Sequence, residues 1–109
     1  MTDAVGPVFA ALADGTRRQV VQTLATGQAA TATSLAAELP MSRQAVAKHL
    51  TALRRAELVR SSRRGRETIY ELEPAALTDA ASWLASVGGE WDARLQRFER
   101  LLGGASAGA

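Results

Sequence analysis

Pro40 limits the fold of this chain more than any other single residue. Leu35, Ala36 and Leu39 carry helical spacing up to it, with Thr33 or Ser34 as a candidate cap, and proline can neither continue that helix nor leave its predecessor free to be helical. Only two residues later, Ser42 is placed to cap a further helix over 42–56. Two short helices are thus held at a tight corner at Pro40-Met41, the arrangement of a helix-turn-helix.

The helix over 42–56 is two-sided. At about 100° per residue, with Val46 at zero, Leu50 and Leu53 fall within about 40° of it, and Gln44, Lys48, Thr51 and Arg55 fall within about 40° of the opposite pole. One side packs, and the other is polar, long-armed and basic, which by itself describes an ordinary solvated face as well as a reading face. The next segment of the chain favours a reading face. Leu58 to Ser62 leads through Arg63, Arg64, Gly65 and Arg66 into 67–72, where Thr68, Tyr70 and Leu72 alternate with Glu67, Ile69 and Glu71. This is a hairpin with a tip rich in arginine. Such arginines protect an exposed sheet edge in many proteins; beside a basic helix they are placed to straddle a sugar-phosphate backbone or enter a minor groove.

Charge is segregated to match. Residues 43–66 hold eight of the thirteen Lys and Arg residues and a single acid, Glu57, while the rest of the chain carries five bases against ten acids. Phosphate neutralisation by such a segment is the main source of sequence-independent affinity for nucleic acid. Other classes lack residues. Without cysteine there are no disulfides, thiolate metal sites or cysteine nucleophiles, and the single histidine, His49, cannot build a histidine metal site. No acid pair or Gly-rich phosphate loop accompanies it, so no catalytic residue, metal or cofactor is expected. The N-terminus lacks a basic region ahead of its apolar residues, and no uncharged run reaches about 18 residues, so a cytoplasmic protein with no membrane partner is expected.

Outside the basic segment the chain reads as helix. Val8, Phe9 and Leu12 give a first helix over about 4–13, closed at Asp14-Gly15; Thr16 is a candidate cap for a second, which presents Val20, Val21 and Leu24 and stops at Gly27. After Glu73, Pro74 stands at a favourable first helical position, and apolar residues recur at a three-four spacing from Leu77 through Leu84, Trp91, Leu95 and Phe98 to Leu101. That stripe is too long for a three-helix head and a hairpin to cover. It is expected to pair with the first helix and with a second copy of the chain, leaving Gly88-Gly89 as a place for a kink or break. Residues 103–109 are Gly, Ala and Ser only and are expected to form a disordered tail.

Three motifs follow in order: Ala11-Leu12-Ala13-Asp14-Gly15-Thr16-Arg17-Arg18 with Val20-Val21 behind it, then Met41-Ser42-Arg43-Gln44-Ala45-Val46-Ala47-Lys48-His49-Leu50 with Leu53, and Ala56-Glu57-Leu58-Val59 leading through Arg64-Gly65-Arg66 to Tyr70 and Leu72. Together they resemble the ArsR-type winged helix-turn-helix repressors of bacteria. The resemblance spans about residues 5–75, with two departures: Gly15 stands where the family usually has Pro, and Glu57 where it usually has Gly. It implies a fold that is mainly α with a small β-hairpin, a winged helix-turn-helix dimerised through its N- and C-terminal helices. The expected layout is one domain over 1–102, with a DNA-binding core at 16–72 and dimerisation helices at about 4–13 and 74–102.

The resemblance further implies a homodimer that docks its fourth helix in the major groove of double-stranded DNA. Ser42, Arg43, Gln44, Ala47, Lys48 and Thr51 would face the groove, His49 would lie near a phosphate, and Arg64 and Arg66 would sit at the wing. The residue types suit the task, since Gln pairs with adenine edges, Arg and Lys with guanine edges, and small side chains with a thymine methyl. With Arg55 from the helix wheel and Arg63 from the hairpin, these are the expected DNA contacts. For His49, about 60° from the core pole, a role bridging helix and neighbour stands beside a phosphate contact. Val8, Phe9, Leu12, Leu84, Trp91, Leu95 and Phe98 are the expected dimer interface. Metal-sensing relatives place Cys pairs on the third helix or Asp and His clusters on the last; this chain has neither set. The expected function is a sequence-specific dimeric repressor that occludes a promoter at an inverted-repeat operator, its own gene's included, with any small-molecule effector unknown. The rivals are a winged helix used as a protein-interaction module and a low-specificity architectural DNA-binding protein.

Overall fold

The first four helices each begin where a side chain accepts from free N–H groups. The computed structural model describes the backbone of residues 3–107 and the side chains of residues 3–102. Its elements run α1 (Val5–Leu12), α2 (Gly15–Thr26), α3 (Ala32–Glu38), α4 (Arg43–Arg55), β1 (Val59–Arg64), β2 (Glu67–Leu72) and α5 (Pro74–Ala107). Ser42 caps α4, its Oγ accepting the Ala45 N–H at 3.1 Å. The other two caps lie upstream of the residues that sequence spacing favoured. Asp14 rather than Thr16 caps α2, because its carboxylate reaches two donors at once, the N–H groups of Thr16 (2.8 Å) and Arg17 (3.2 Å). Thr31 rather than Thr33 or Ser34 caps α3: Ser34 N–H donates to Thr31 Oγ1 at 3.0 Å while Thr31 N–H donates to Ser34 Oγ at 2.9 Å, a reciprocal box that serves both ends of the turn.

The core forms where α2, α3 and α4 meet. Val20, Val46, Leu50, Leu53 and Leu58 are wholly buried, and each buried leucine contributes about 1.5–3 kcal/mol of transfer free energy. α1 covers one side of this core and corrects an expectation: Val8 is 1% exposed and belongs to the interior rather than to a dimer interface. It points inward beside Ala11, three residues on along the same helix face. Phe9 and Leu12 are partly buried, and Phe9 meets Trp83 of α5 edge to face at a centroid distance of 5.6 Å.

The wing is an antiparallel pair in the register Val59↔Leu72, Ser61↔Tyr70 and Arg63↔Thr68, closed by Gly65-Arg66 between Arg64 and Glu67. Gly65 has φ 65°, a conformation that costs glycine nothing and suits a two-residue turn. A third segment joins it. Ala30 pairs with Tyr70 through two bonds, Ala30 N–H to Tyr70 C=O at 3.0 Å and Tyr70 N–H to Ala30 C=O at 2.8 Å, which ties the wing to the start of α3. Nothing in the alternation of 67–72 announced that bridge.

α5 is one continuous helix of 34 residues, so Gly88-Gly89 does not break it. Every helical N–H there still finds a carbonyl four residues back, and the cost of about 1 kcal/mol per glycine is spread over a long helix. It runs to Ala107, into the segment expected as a tail; the side chains of 103–107 and all of 108 and 109 lie outside the described residues. The helix projects beyond the rest of the molecule. The radius of gyration is 19.7 Å against about 13 Å for a compact domain of this length, and the long axis measures 67 Å. Among the described residues, no helix is long and apolar enough to cross a membrane.

The exit from α4 fixes where the wing starts. Leu58 N–H donates to Leu53 C=O at 3.0 Å and Glu57 N–H to Arg54 C=O at 3.0 Å, while Leu53 and Leu58 pack in the core, the pattern of a Schellman cap. Glu57 occupies the left-handed position at φ 62°, which a side chain with a Cβ adopts at a cost of about 1 kcal/mol or more. The residue that departs from the family pattern therefore sits where the backbone asks for glycine. Glu57→Gly is expected to raise the thermal unfolding midpoint by about 4 °C, measured by circular dichroism; an unchanged or lower midpoint would show that the turn is not strained.

Candidate nucleic-acid interface

The candidate interface is assembled from three places in the sequence. The N-terminal half of α4, the start of α3 and the wing enclose a cleft of about 590 Å³, and Arg43, Gln44 and Ala47 face Arg63, Arg66 and Thr68 across it. Register explains which wing arginines take part. Arg63 shares a sheet face with Ser61, Thr68 and Tyr70, so it turns toward α4, whereas Arg64 stands on the opposite face with Glu67 and Ile69. Thr31, Thr33 and Tyr70 complete the wall, and Glu67, on the opposite sheet face, borders it only beside the turn. Sequence reasoning missed these walls. The period-two pattern already put Tyr70 and Thr68 on one side, but the threonines reach the cleft only because Ala30 is bridged to Tyr70.

The other expected positions on α4 divide. Ser42, Lys48 and Thr51 are exposed along the same flank. Ser42 Oγ spends an acceptor lone pair on its cap, leaving its O–H free to donate to a phosphate. Thr51 does the reverse, its hydroxyl donating to Ala47 C=O at 3.0 Å, so the helix presents its methyl group and a lone pair. Arg55 is the last residue of α4, about 18 Å of helix from Arg43, and stands over a groove lined by Pro7, Ala10 and Arg17. Not every base in the segment is free to meet phosphate. Arg60 is held by Glu73 (3.1 Å) and Glu71 (3.6 Å), and Arg54 donates to Ser61 Oγ at 3.3 Å.

A helix-turn-helix domain family matches residues 12–62. The chain is 48% identical over 67 residues to the HTH-type transcriptional regulator Rv2034 of Mycobacterium tuberculosis, a match covering 62% of each protein and thus less than two thirds of that regulator. It is 32% identical over 77 residues to the transcriptional repressor SdpR of Bacillus subtilis, covering 71% of this chain and 84% of SdpR. Among solved structures, an ArsR-like transcriptional regulator from Rhodococcus sp. RHA1 superposes with a TM-score of 0.80 at 43% identity, over 90% of this chain and 92% of that one. The chain belongs to the ArsR family. Another structural neighbour is the homodimeric winged helix-turn-helix DNA-binding domain Mb0332 of Mycobacterium bovis, at TM-score 0.61 and 31% identity over 83% of this chain and 80% of that one.

In this ArsR-family chain, His49 faces inward as much as outward. It is half-buried and lies close enough to Asp14 for their charges to interact across the α2–α4 contact. Asp14 titrates below its ordinary value, first because the Arg17 N–H bonds its carboxylate, with the Thr16 N–H, His49 and Arg17 charges acting in the same direction against partial desolvation. Among the described residues, no cluster of three or more His, Asp or Glu is close enough to hold a metal ion.

A carboxyl whose folded-state pKa lies below its unfolded one contributes its full stabilisation above the unfolded pKa and loses it as pH falls through the folded pKa. The wild type is therefore expected to be more stable than Asp14→Asn at neutral pH, with the gap closing below the ordinary carboxylate range. Denaturant unfolding of both proteins from pH 7 to pH 2.5 tests this; a gap that does not depend on pH would remove the charge of Asp14 from the account.

Proposed function

We propose that this chain is a dimeric, sequence-specific DNA-binding repressor that seats the N-terminal half of α4 in a major groove and closes the wing on the adjoining backbone. One observation carries the reading: a single cleft has α4 on one wall and the wing on the other, and its three arginines, Arg43, Arg63 and Arg66, converge from both. A strand of nucleic acid supplies what such a cleft lacks, a line of negative charge with base edges beside it. Gln44, Ala47, Lys48 and Thr51 then read bases, Ser42 and the wing arginines hold phosphates, and Arg64 contributes charge from the far side of the wing. His49, half-buried, lies at the inner edge of this face, near Asp14. Mb0332 is described as a homodimer and SdpR as a repressor, and both descriptions support the same roles here. Two α4 helices about 34 Å apart would meet successive major grooves, so the operator is an inverted repeat, and the promoter of the protein's own gene is the first place to look for it. Repression follows from occlusion of that promoter.

The roles separate in measurement. Gln44→Ala and Lys48→Ala are expected to lower affinity for an operator by about tenfold or more while leaving random-duplex affinity nearly unchanged. Arg63→Ala with Arg66→Ala is expected to weaken both alike and to reduce the slope of log affinity against log salt by about two. Fluorescence anisotropy with DNA from upstream of the gene and a scrambled duplex, at about 50 and about 200 mM salt, gives both quantities. Equal binding to the two duplexes would indicate an architectural protein, and no binding at the lower salt would turn the cleft toward a protein partner.

A further inference from the structure

The dimer proposed above leaves open how the two copies meet, and α5 carries the information. Eight large apolar residues between Trp83 and Leu102 are 42–85% exposed, which amounts to roughly 1,000 Å², above the largest apolar patch of a typical monomer and near one partner's share of a standard interface. Five of the eight, Leu84, Trp91, Leu95, Phe98 and Leu102, fall in two rows with a seven-residue period, the signature of helix pairing rather than of packing on a curved domain surface. One row is Leu84, Trp91 and Phe98, and the other is Ala81, Gly88, Leu95 and Leu102.

The second row contains the anomaly. Gly88 lies inside a long helix, where glycine costs about 1 kcal/mol relative to alanine, and nothing within this chain asks for it: a Cβ built there meets no atom within 4 Å. Gly89 is equally open, and what singles out Gly88 is its place in the apolar seam between Leu84 and Trp91. Reversing one helix against the other brings each row opposite its counterpart, and in one register both small residues meet aromatics. Gly88 then opposes the partner's Trp91, Ala81 the partner's Phe98, and Leu84 the partner's Leu95. No like charges meet along the flanks, since Asp92 comes opposite the partner's Ala85 and Arg94 opposite the partner's Val87. Parallel pairing would instead stack Trp91 on the partner's Trp91 and leave a void between two glycines, contrary to the close packing of protein interfaces.

We infer that two α5 helices pair antiparallel about a two-fold axis close to Gly89, with Gly88 forming the notch that receives the partner's Trp91. This rests on the dimer reading and specifies its register. Position 89 faces away from the seam, and a Cβ there also meets nothing, so it is an internal control.

Size exchange tests the notch. Gly88→Leu improves helix propensity, so a role within the monomer would leave dimerisation unchanged or stronger. The notch requires instead that Gly88→Leu and Trp91→Ala each weaken dimerisation by about tenfold or more, that the double variant recover most of that loss, and that Gly89→Ala have no effect, all read by sedimentation equilibrium. Because the chain has no cysteine, Leu84→Cys and Leu95→Cys can be mixed without background. Disulfide formation in the mixture but in neither variant alone is the expected result. Cross-linking of Leu84→Cys with itself, or with Leu102→Cys in preference to Leu95→Cys, would overturn the register while leaving the dimer standing. A wild type that sediments as a monomer at every concentration would overturn both.

Discussion

The contact between Leu53 and Leu58 governs the relation between the two halves of the proposed reading surface. Both side chains are wholly buried, and the backbone bond from Leu58 to Leu53 turns the chain out of α4 within a few residues. β1 starts at Val59, so the wing leaves the core at a direction set by that corner and is held at its other edge by the bridge from Ala30 to Tyr70. A helix and a hairpin joined by a flexible linker would present their arginines at many separations. Here the cleft width is set by packing, as pre-organised recognition requires. The left-handed Glu57 is the cost of the corner, borne at the position where glycine would relieve it.

Electrostatics act on this frame more selectively than the charge count suggests. Eight bases between 43 and 66 read as one uniform positive segment. In the fold, only Arg43, Arg63 and Arg66 line the cleft. Arg60 is tied to Glu71 and Glu73 in exposed pairs that contribute little stability, and it stands on the sheet face opposite Arg63, away from the cleft. Glu67 borders the cleft beside the turn but stands on the opposite sheet face with Arg64, so the three arginines dominate the cleft's charge.

Much of this was legible in the sequence because it depends on local rules. Pro40 and Ser42 fix the corner between α3 and α4, the wheel of 42–56 names the face that becomes the core, and Gly65 marks the turn of the wing. The caps at Asp14 and Thr31 were missed by two or three residues, since several Ser, Thr and Asp residues compete at both helix starts and only the final geometry selects among them. Val8 was misplaced for a different reason: its spacing with Leu12 shows that α1 has an apolar face but not which partner covers it, and the structure gives that partner as the monomer's own core. The threonine wall of the cleft depends on a bridge between residues 40 apart, and no periodicity records such a pairing.

α5 shows how a single helix can serve two masters along its length. Its first turns, with Leu77 and Ala80, seal the domain core beside α1. From Leu84 onward the same face emerges uncovered. A helix that is rigid through both regions transmits the position of one to the other, because it continues through Gly88-Gly89 without a break. With α5 paired about a point near Gly89, the distance between the two α4 helices becomes a property of the notch: a bulkier residue at 88 moves the helices apart and, through the α1–α5 contact, moves the reading surfaces with them. Operator spacing in such an assembly is set at the dimer axis, far from any base, and the glycine that looks like a weak point in the helix is the residue that sets it.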